Sequence, residues 1–239
     1  MTNFRLGLKI KLENYFMEIK LDKIRRAAKK TVLVGVLSLF GSFAFAQSGQ
    51  NIESTNPYVK MGQKALIDGD FKTAVENLEK ALPDEKDNLD MMYMLGYSQY
   101  QIGEYKKSIE SFSTVLKGRP DDVNAHYYRA KVANTLAIEP ESNLSDKQRA
   151  DLLEASIADY NQAIALDGDD MKLYQNRALA YRDLGNLVGT PTSKNYDKEA
   201  AATYYEGSIK DLETVLAKNP ARKDLNLELK KLKVYKSSL

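Results

Sequence analysis

Side chains able to do covalent or metal chemistry are scarce in this 239-residue sequence. It has no cysteine and a single histidine, His126, which excludes thiolate catalysis, disulfides and a His or Cys cluster around a metal. The acidic segment Asp167–Asp170 lacks the spacing and terminal Glu of a calcium loop, so we interpret it as a turn. Carboxylate pairs can do acid–base chemistry in principle, but no pair stands out. We predict no catalytic residue, no metal site and no cofactor.

The first 46 residues have the pattern of a secretory signal peptide. A basic patch precedes the apolar run Val32–Ala46, which is shorter than the roughly 20 residues a membrane span needs. The run ends on small residues, Ala44 and Ala46, at the −3 and −1 positions of a cut before Gln47. The pattern predicts cleavage after Ala46 and a periplasmic or secreted protein without stable membrane insertion. Retention of the run as an uncleaved anchor is the alternative.

The leader is unusually long if it starts at Met1. A start at Met17 brings it to the upper end of the usual range of about 15–30 residues, and we interpret Met17 as the true start. Residues 47–54 are interpreted as a flexible linker.

The charge balance changes once the leader is set aside. Nine of the 35 Lys and Arg residues and three of the 33 Asp and Glu residues lie in residues 1–46, so 26 basic and 30 acidic residues remain. A mildly acidic domain lacks the basic footprint of nucleic-acid binding, and we predict no nucleic-acid partner.

A sequence pattern recurs at a spacing of 34 residues. The matched positions are Tyr58 and Met92, Met61 and Leu95, Gly62 and Gly96, Gly69 and Gly103, Ala74 and Ser108, and Leu78 and Phe112. Two further copies follow, with insertions near residues 138–151 and 187–204. Apolar residues three and four apart predict helices, small residues predict close helix contacts, and the glycines predict tight turns between helices.

This period, with small residues at fixed positions, resembles the tetratricopeptide repeat. The resemblance covers residues 55–220 and implies an all-α fold, a right-handed α-solenoid of four helical hairpins with a C-terminal capping helix. The hairpins are predicted at residues 55–88, 89–122, 123–170 and 171–222, and the capping helix at 223–239.

Both insertions fall between the two helices of a hairpin, so we expect them to project from the same edge of the solenoid. A capping-box pattern at Ser145 and Gln148 predicts a helix start near Asp146, and a helical pattern resumes at Asp197. The insertions are either part of a binding surface or tolerated surface elaboration.

The resemblance also implies a concave groove lined by the first helix of each hairpin. By register, the ligand-contacting positions are Val59, Lys60, Gln63, Leu66, Tyr93, Tyr97, Tyr100, Tyr127, Lys131, Asn134, Gln175, Leu179 and Arg182. Tyrosine suits recognition because it combines apolar area, a polar tip and a low entropy cost. The alternative is that some of these rings pack between repeats. The family's clamp for a C-terminal carboxylate is incomplete here, since Lys131 is the one basic residue at the matching positions.

Three further polar residues stand at positions that are usually apolar or aromatic in the family. We interpret His126 as a packed structural histidine. Arg129 and Arg177 are expected to pack their stems while their guanidinium groups reach polar partners.

These patterns favour a non-enzymatic scaffold that binds another protein or a peptide segment, with possible peripheral association with an envelope complex. An exported carbohydrate-binding protein that uses a tyrosine-lined groove is the main alternative. An enzyme is the third.

Overall fold

The computed structural model describes residues 54–192 and 196–239; the predicted leader lies outside them. Within these ranges the chain forms nine α-helices, one short 3₁₀ helix at Pro140–Ser142, and no strand. The helices are α1 (Pro57–Ile67), α2 (Phe71–Glu85), α3 (Leu89–Gln101), α4 (Tyr105–Gly118), α5 (Val123–Ile138), α6 (Asp146–Leu166), α7 (Met171–Val188), α8 (Lys198–Lys218) and α9 (Lys223–Ser238).

Each helix packs mainly against its neighbours in the chain. Helices α1 and α2, α3 and α4, α5 and α6, and α7 and α8 form four hairpins, and α9 packs on α8. The first helices of successive hairpins also touch, α1 with α3, α3 with α5, and α5 with α7. The predicted all-α helical-repeat fold is confirmed.

Two glycines make the tight turns inside the first two hairpins. Gly69 has a φ of 78° and Gly103 a φ of 84°, in the left-handed region that side chains with a Cβ adopt only at a cost. At the start of most helices a side-chain oxygen accepts a hydrogen bond from a backbone N–H group in the first turn, which has no partner within the helix. These caps include Asn56, Asp70, Asn88, Asp122, Ser145, Asp170 and Asp197.

Small residues let the two helices of a hairpin approach closely. A Cβ placed on Gly62 would lie 2.6 Å from the Leu78 Cγ. In the second hairpin the Ser108 hydroxyl donates to the Gly96 carbonyl at 2.7 Å, and in the fourth Ser208 donates to Ala178 at 2.7 Å. The close approach of the two helices leaves no room for a larger side chain at these positions of the first helix.

The insertions lengthen helices. Helix α5 has 16 residues where α3 has 13, and α6 has 21 where α4 has 14. Helix α6 begins at Asp146 with both hydrogen bonds of the capping box between Ser145 and Gln148, so the predicted helix start is confirmed. In the fourth hairpin, α7 extends to Val188 and α8 begins at Lys198.

Arg149 fastens the connection between α5 and α6. Its guanidinium donates to the carbonyl oxygens of Ala137, Glu139 (3.1 Å) and Leu144 (3.3 Å). Carbonyls at a helix C-terminus lack intrahelical partners, so this one side chain satisfies the end of α5 and holds the inserted loop against α6.

The two ends of the described residues, α9 and the residue Ser54, each differ from expectation. Helix α9 buries Leu225 and Leu232 against the core, but Leu227 and Val234 on its opposite face are 56% and 60% exposed. At the other end, Ser54 is buried and donates to Glu85 at 2.9 Å, so the last residue of the predicted flexible linker is fixed. None of the helices in the described ranges is long and apolar enough to span a membrane.

Candidate functional site

The predicted groove positions separate into buried and accessible residues. Val59, Leu66 and Tyr97 are 0%, 6% and 4% exposed, so the structure places these three predicted ligand positions inside the fold. Lys60 is exposed and Gln63 is half-buried on α1. The remaining positions are half-buried on α3, α5 and α7: Tyr93, Tyr100, Tyr127, Lys131, Asn134, Gln175, Leu179 and Arg182.

Tyr97 is buried because it belongs to an aromatic cluster between the second and third hairpins. We define this cluster as Tyr93, Tyr97, Phe112 and Tyr128. Phe112 and Tyr128 are stacked, with ring centroids 5.8 Å apart, while Tyr93 and Tyr97 meet Tyr128 edge-on at 6.0 and 5.2 Å. Tyr93 also meets Phe112 at 5.4 Å. The cluster joins α3, α4 and α5.

The sequence carried a signal for this burial. Helix α3 has apolar residues on nearly every side, and a helix that is apolar all round is expected to be buried. Tyr128, which fills the space between the hairpins, follows Tyr127 directly and was not among the predicted residues.

Tyr127 lies at the boundary between the aromatic cluster and the groove. Its ring lies 5.0 Å from Tyr128 and 6.1 Å from Tyr160. Burial raises the pKa of Tyr127 to about 12, so its phenol stays protonated near neutral pH. It can therefore present both ring area and a hydroxyl to a ligand.

Lys131 projects between two of these rings. Its ammonium lies 5.7 Å from the centroids of both Tyr100 and Tyr127, within the range of cation–π attraction. No carboxylate in the described part of the chain pairs with it, and burial lowers its pKa below that of an ordinary lysine. The Lys131 ammonium is therefore partly removed from water without an acidic partner among the described residues.

Polar contacts continue this surface across α5, α7 and α9. The Asn134 amide donates to Asp183 at 3.2 Å, and Arg182 pairs with Asp183 at 2.7 Å and with Glu228 of α9 at 3.0 Å. Arg222, which precedes α9, reaches Gln175 of α7 at 3.5 Å. Together with the contact of Lys131 with Tyr100, these contacts link Tyr100, Lys131, Asn134, Gln175 and Arg182 into one surface over successive first helices.

His126 lies away from this surface. It is 8% exposed, with Nδ1 2.8 Å from an Asp159 oxygen and Nε2 2.8 Å from the Pro120 carbonyl oxygen. Arg129 donates to both oxygens of Asp159, each at 2.7 Å, and to Ser113 at 3.1 Å. The interpretation of His126 as a packed structural histidine is confirmed.

The fourth hairpin repeats the arginine contact. Arg177 donates to both oxygens of Asp211, at 2.8 and 2.7 Å, and to Asn161 at 2.7 Å. Each arginine thus joins the two helices of its own hairpin to the second helix of the hairpin before. The prediction that Arg129 and Arg177 reach polar groups is confirmed, but their aspartate partners were missed, because the insertions hide the register between the two helices.

In residues 54–192 and 196–239, no group of three or more His, Asp or Glu side chains is arranged to hold a metal ion.

Part of the chain matches a known protein family. Residues 65–132 match the family model described as tetratricopeptide repeat. No curated protein gives a significant sequence match.

Three solved structures resemble the chain at low identity. A MamA structure (MSR-1 C2) is 16% identical with a TM-score of 0.48, covering 66% of this chain and 76% of that one. A thermophilic tetratricopeptide protein of Thermus thermophilus is 17% identical with a TM-score of 0.44, covering 74% and 97%. The first tetratricopeptide domain of Spaghetti (RPAP3), bound to the HSP90 peptide SRMEEVD, is 19% identical with a TM-score of 0.42, covering 61% and 90%.

Residues 65–132 are thus similar to the tetratricopeptide repeat, and the described residues form four successive helix pairs.

Proposed function

We propose that the chain is a non-enzymatic scaffold that binds a segment of another protein along the groove. The groove is the surface formed by Tyr100, Tyr127, Lys131, Asn134, Gln175, Leu179 and Arg182. The observation that carries the proposal is the continuity of this surface, because contacts link its residues from α3 through α5 and α7 to α9.

The chemistry of the groove suits recognition of a peptide segment. Stacked helical repeats present extended concave surfaces, and a row of side chains from successive helices can follow an extended chain. Tyr100 and Tyr127 offer rigid ring area with polar tips, while Asn134, Gln175 and Arg182 offer hydrogen bonds. Leu179 adds an apolar contact between them.

A site-specific photo-cross-linking experiment tests this proposal. A benzoylphenylalanine at Leu179 should give discrete adducts with a partner protein in cell extracts, whereas the same group at the exposed Glu110 of α4 should not. Tyr100→Ala should reduce the Leu179 adducts at least about fivefold, the loss expected for an interface anchor worth more than 1 kcal/mol. Equal labelling from Leu179 and Glu110, or adducts unaffected by Tyr100→Ala, would contradict binding in the groove.

We further propose that the protein works outside the cytoplasm, in the periplasm or after secretion, with peripheral association with an envelope complex. The support is the basic patch, the apolar run and the Ala44 and Ala46 pattern in the leader.

N-terminal sequencing of the protein recovered from the envelope or medium checks the site of processing. The expected first residue is Gln47. A mature chain that keeps Val32–Ala46 would show that the segment serves as an anchor.

A further inference from the structure

We infer that the segment bound in the groove presents an aspartate or glutamate side chain to Lys131, which holds it between the rings of Tyr100 and Tyr127. This inference rests on the proposed function and names the chemistry of the partner at that site.

The charges around the groove single out Lys131. Arg182 pairs with Asp183 at 2.7 Å and with Glu228 at 3.0 Å, and Glu228 also lies 3.9 Å from Lys231, so these two cations and two carboxylates balance. In the described part of the chain, Lys131 has the two tyrosine rings as its neighbours and no acidic partner. A ligand entering the groove therefore meets one uncompensated positive charge.

The surroundings of Lys131 make an acidic ligand group favourable. Two rings at 5.7 Å attract the ammonium, while burial removes part of its hydration and lowers the pKa of Lys131. A carboxylate placed on the ammonium would restore a charge-assisted hydrogen bond. A neutral segment would bury the charge further without a partner.

The groove's extent favours an internal side chain over a chain terminus. The surface continues from Lys131 toward α3 through Tyr100 and toward α7 and α9 through Asn134 and Arg182, so a bound segment can pass on both sides. A terminal carboxylate also calls for several donors, but Asp183 already accepts one of the two Asn134 N–H groups at 3.2 Å and pairs with Arg182 at 2.7 Å. The single ammonium of Lys131 can instead pair with the carboxylate of one aspartate or glutamate side chain in the bound segment.

Immobilised peptide arrays test the inference. One array holds N-acetylated, C-amidated peptides with a central Glu among varied apolar and polar residues, and a matched array has Gln at that position. A third array has no internal acid but a free C-terminal carboxylate. The probes are the wild-type chain, Lys131→Met, Lys131→Glu, and Lys106→Met as an exposed lysine control on α4.

Wild type and Lys106→Met are expected to retain Glu peptides about tenfold better than their Gln counterparts, a difference of about 1.4 kcal/mol. Lys131→Met should lose this preference, and Lys131→Glu should instead retain a matched array with a central Lys. Circular dichroism should show unchanged helicity for Lys131→Met, which removes a poorly solvated ammonium, and the same measurement checks that Lys131→Glu remains folded.

Other outcomes overturn the inference in distinguishable ways. Equal retention of Glu and Gln peptides by wild type would refute the acidic partner while leaving the scaffold proposal intact. Preference for the free-terminus array would replace the internal side chain by a terminal carboxylate. Absence of binding to all arrays, together with no cross-linking from Leu179, would refute both proposals.

Discussion

Replacing Asp211 by alanine is expected to lower the free energy of unfolding by about 3–5 kcal/mol, because it leaves a buried guanidinium without its counter-ion. The Asp211 side chain is 3% exposed and accepts two hydrogen bonds from Arg177, at 2.8 and 2.7 Å. The Arg177 side chain is 17% exposed, between the rings of Tyr174 and Tyr181, so water can replace the lost carboxylate only in part. The substitution removes the ion pair that joins α7 to α8.

Urea unfolding followed by circular dichroism measures this change as a lower midpoint at constant slope. The double variant Arg177→Met with Asp211→Leu is expected to recover most of the loss, since an apolar pair of similar volume removes both buried charges. Asp151→Ala, which breaks a surface pair with Lys147, should cost no more than about 1 kcal/mol. If Asp211→Ala and Asp151→Ala cost the same, Arg177 and Asp211 do not form a buried pair in solution.

The second large effect is expected for Phe112→Ala, which should destabilise the protein by about 3–5 kcal/mol. Phe112 is fully buried, stacks on Tyr128 at 5.8 Å, and meets Tyr93 edge-on at 5.4 Å. Its ring also fills the space beside Gly96, where a Cβ would come within 3.2 Å of it. Truncation therefore opens a cavity where α3, α4 and α5 meet, and the neighbouring rings can close it only in part.

The same unfolding measurement compares Phe112→Ala with Tyr235→Ala on α9. Tyr235 is 42% exposed, and its removal should cost much less than the loss of a fully buried ring. The near-ultraviolet circular dichroism of Phe112→Ala should also weaken, because Tyr93 and Tyr128 lose their fixed surroundings. A cost below about 1 kcal/mol for Phe112→Ala would mean that the aromatic cluster is not a stabilising core.

Local features of the fold could be predicted from the sequence because nearby residues determine them. The 34-residue spacing placed the first two hairpins, and Gly69 and Gly103 marked turns that need a positive φ. Ser145 and Gln148 located the start of α6 to the residue, since a capping box involves only four consecutive positions.

The candidate site was predicted only in part, because register shows which residues share a helix side but not what covers that side. Tyr97 and Tyr100 both stood at groove positions of α3, yet Tyr128 of the next hairpin packs against Tyr97 and leaves Tyr100 beside Lys131. The isolation of Lys131 likewise depends on the positions of Asp183 and Glu228, which pair with Arg182 instead.

The repeat, its glycine turns at Gly69 and Gly103, and the helix start at Ser145 can be read from the amino-acid sequence, because they follow from spacing and backbone chemistry within a few residues. The pairing of Arg177 with Asp211 and the filling of the space over Tyr97 became visible only in the folded chain. Those outcomes depend on contacts between residues 30 or more positions apart, and the contact between Arg177 and Asp211 also spans the second insertion.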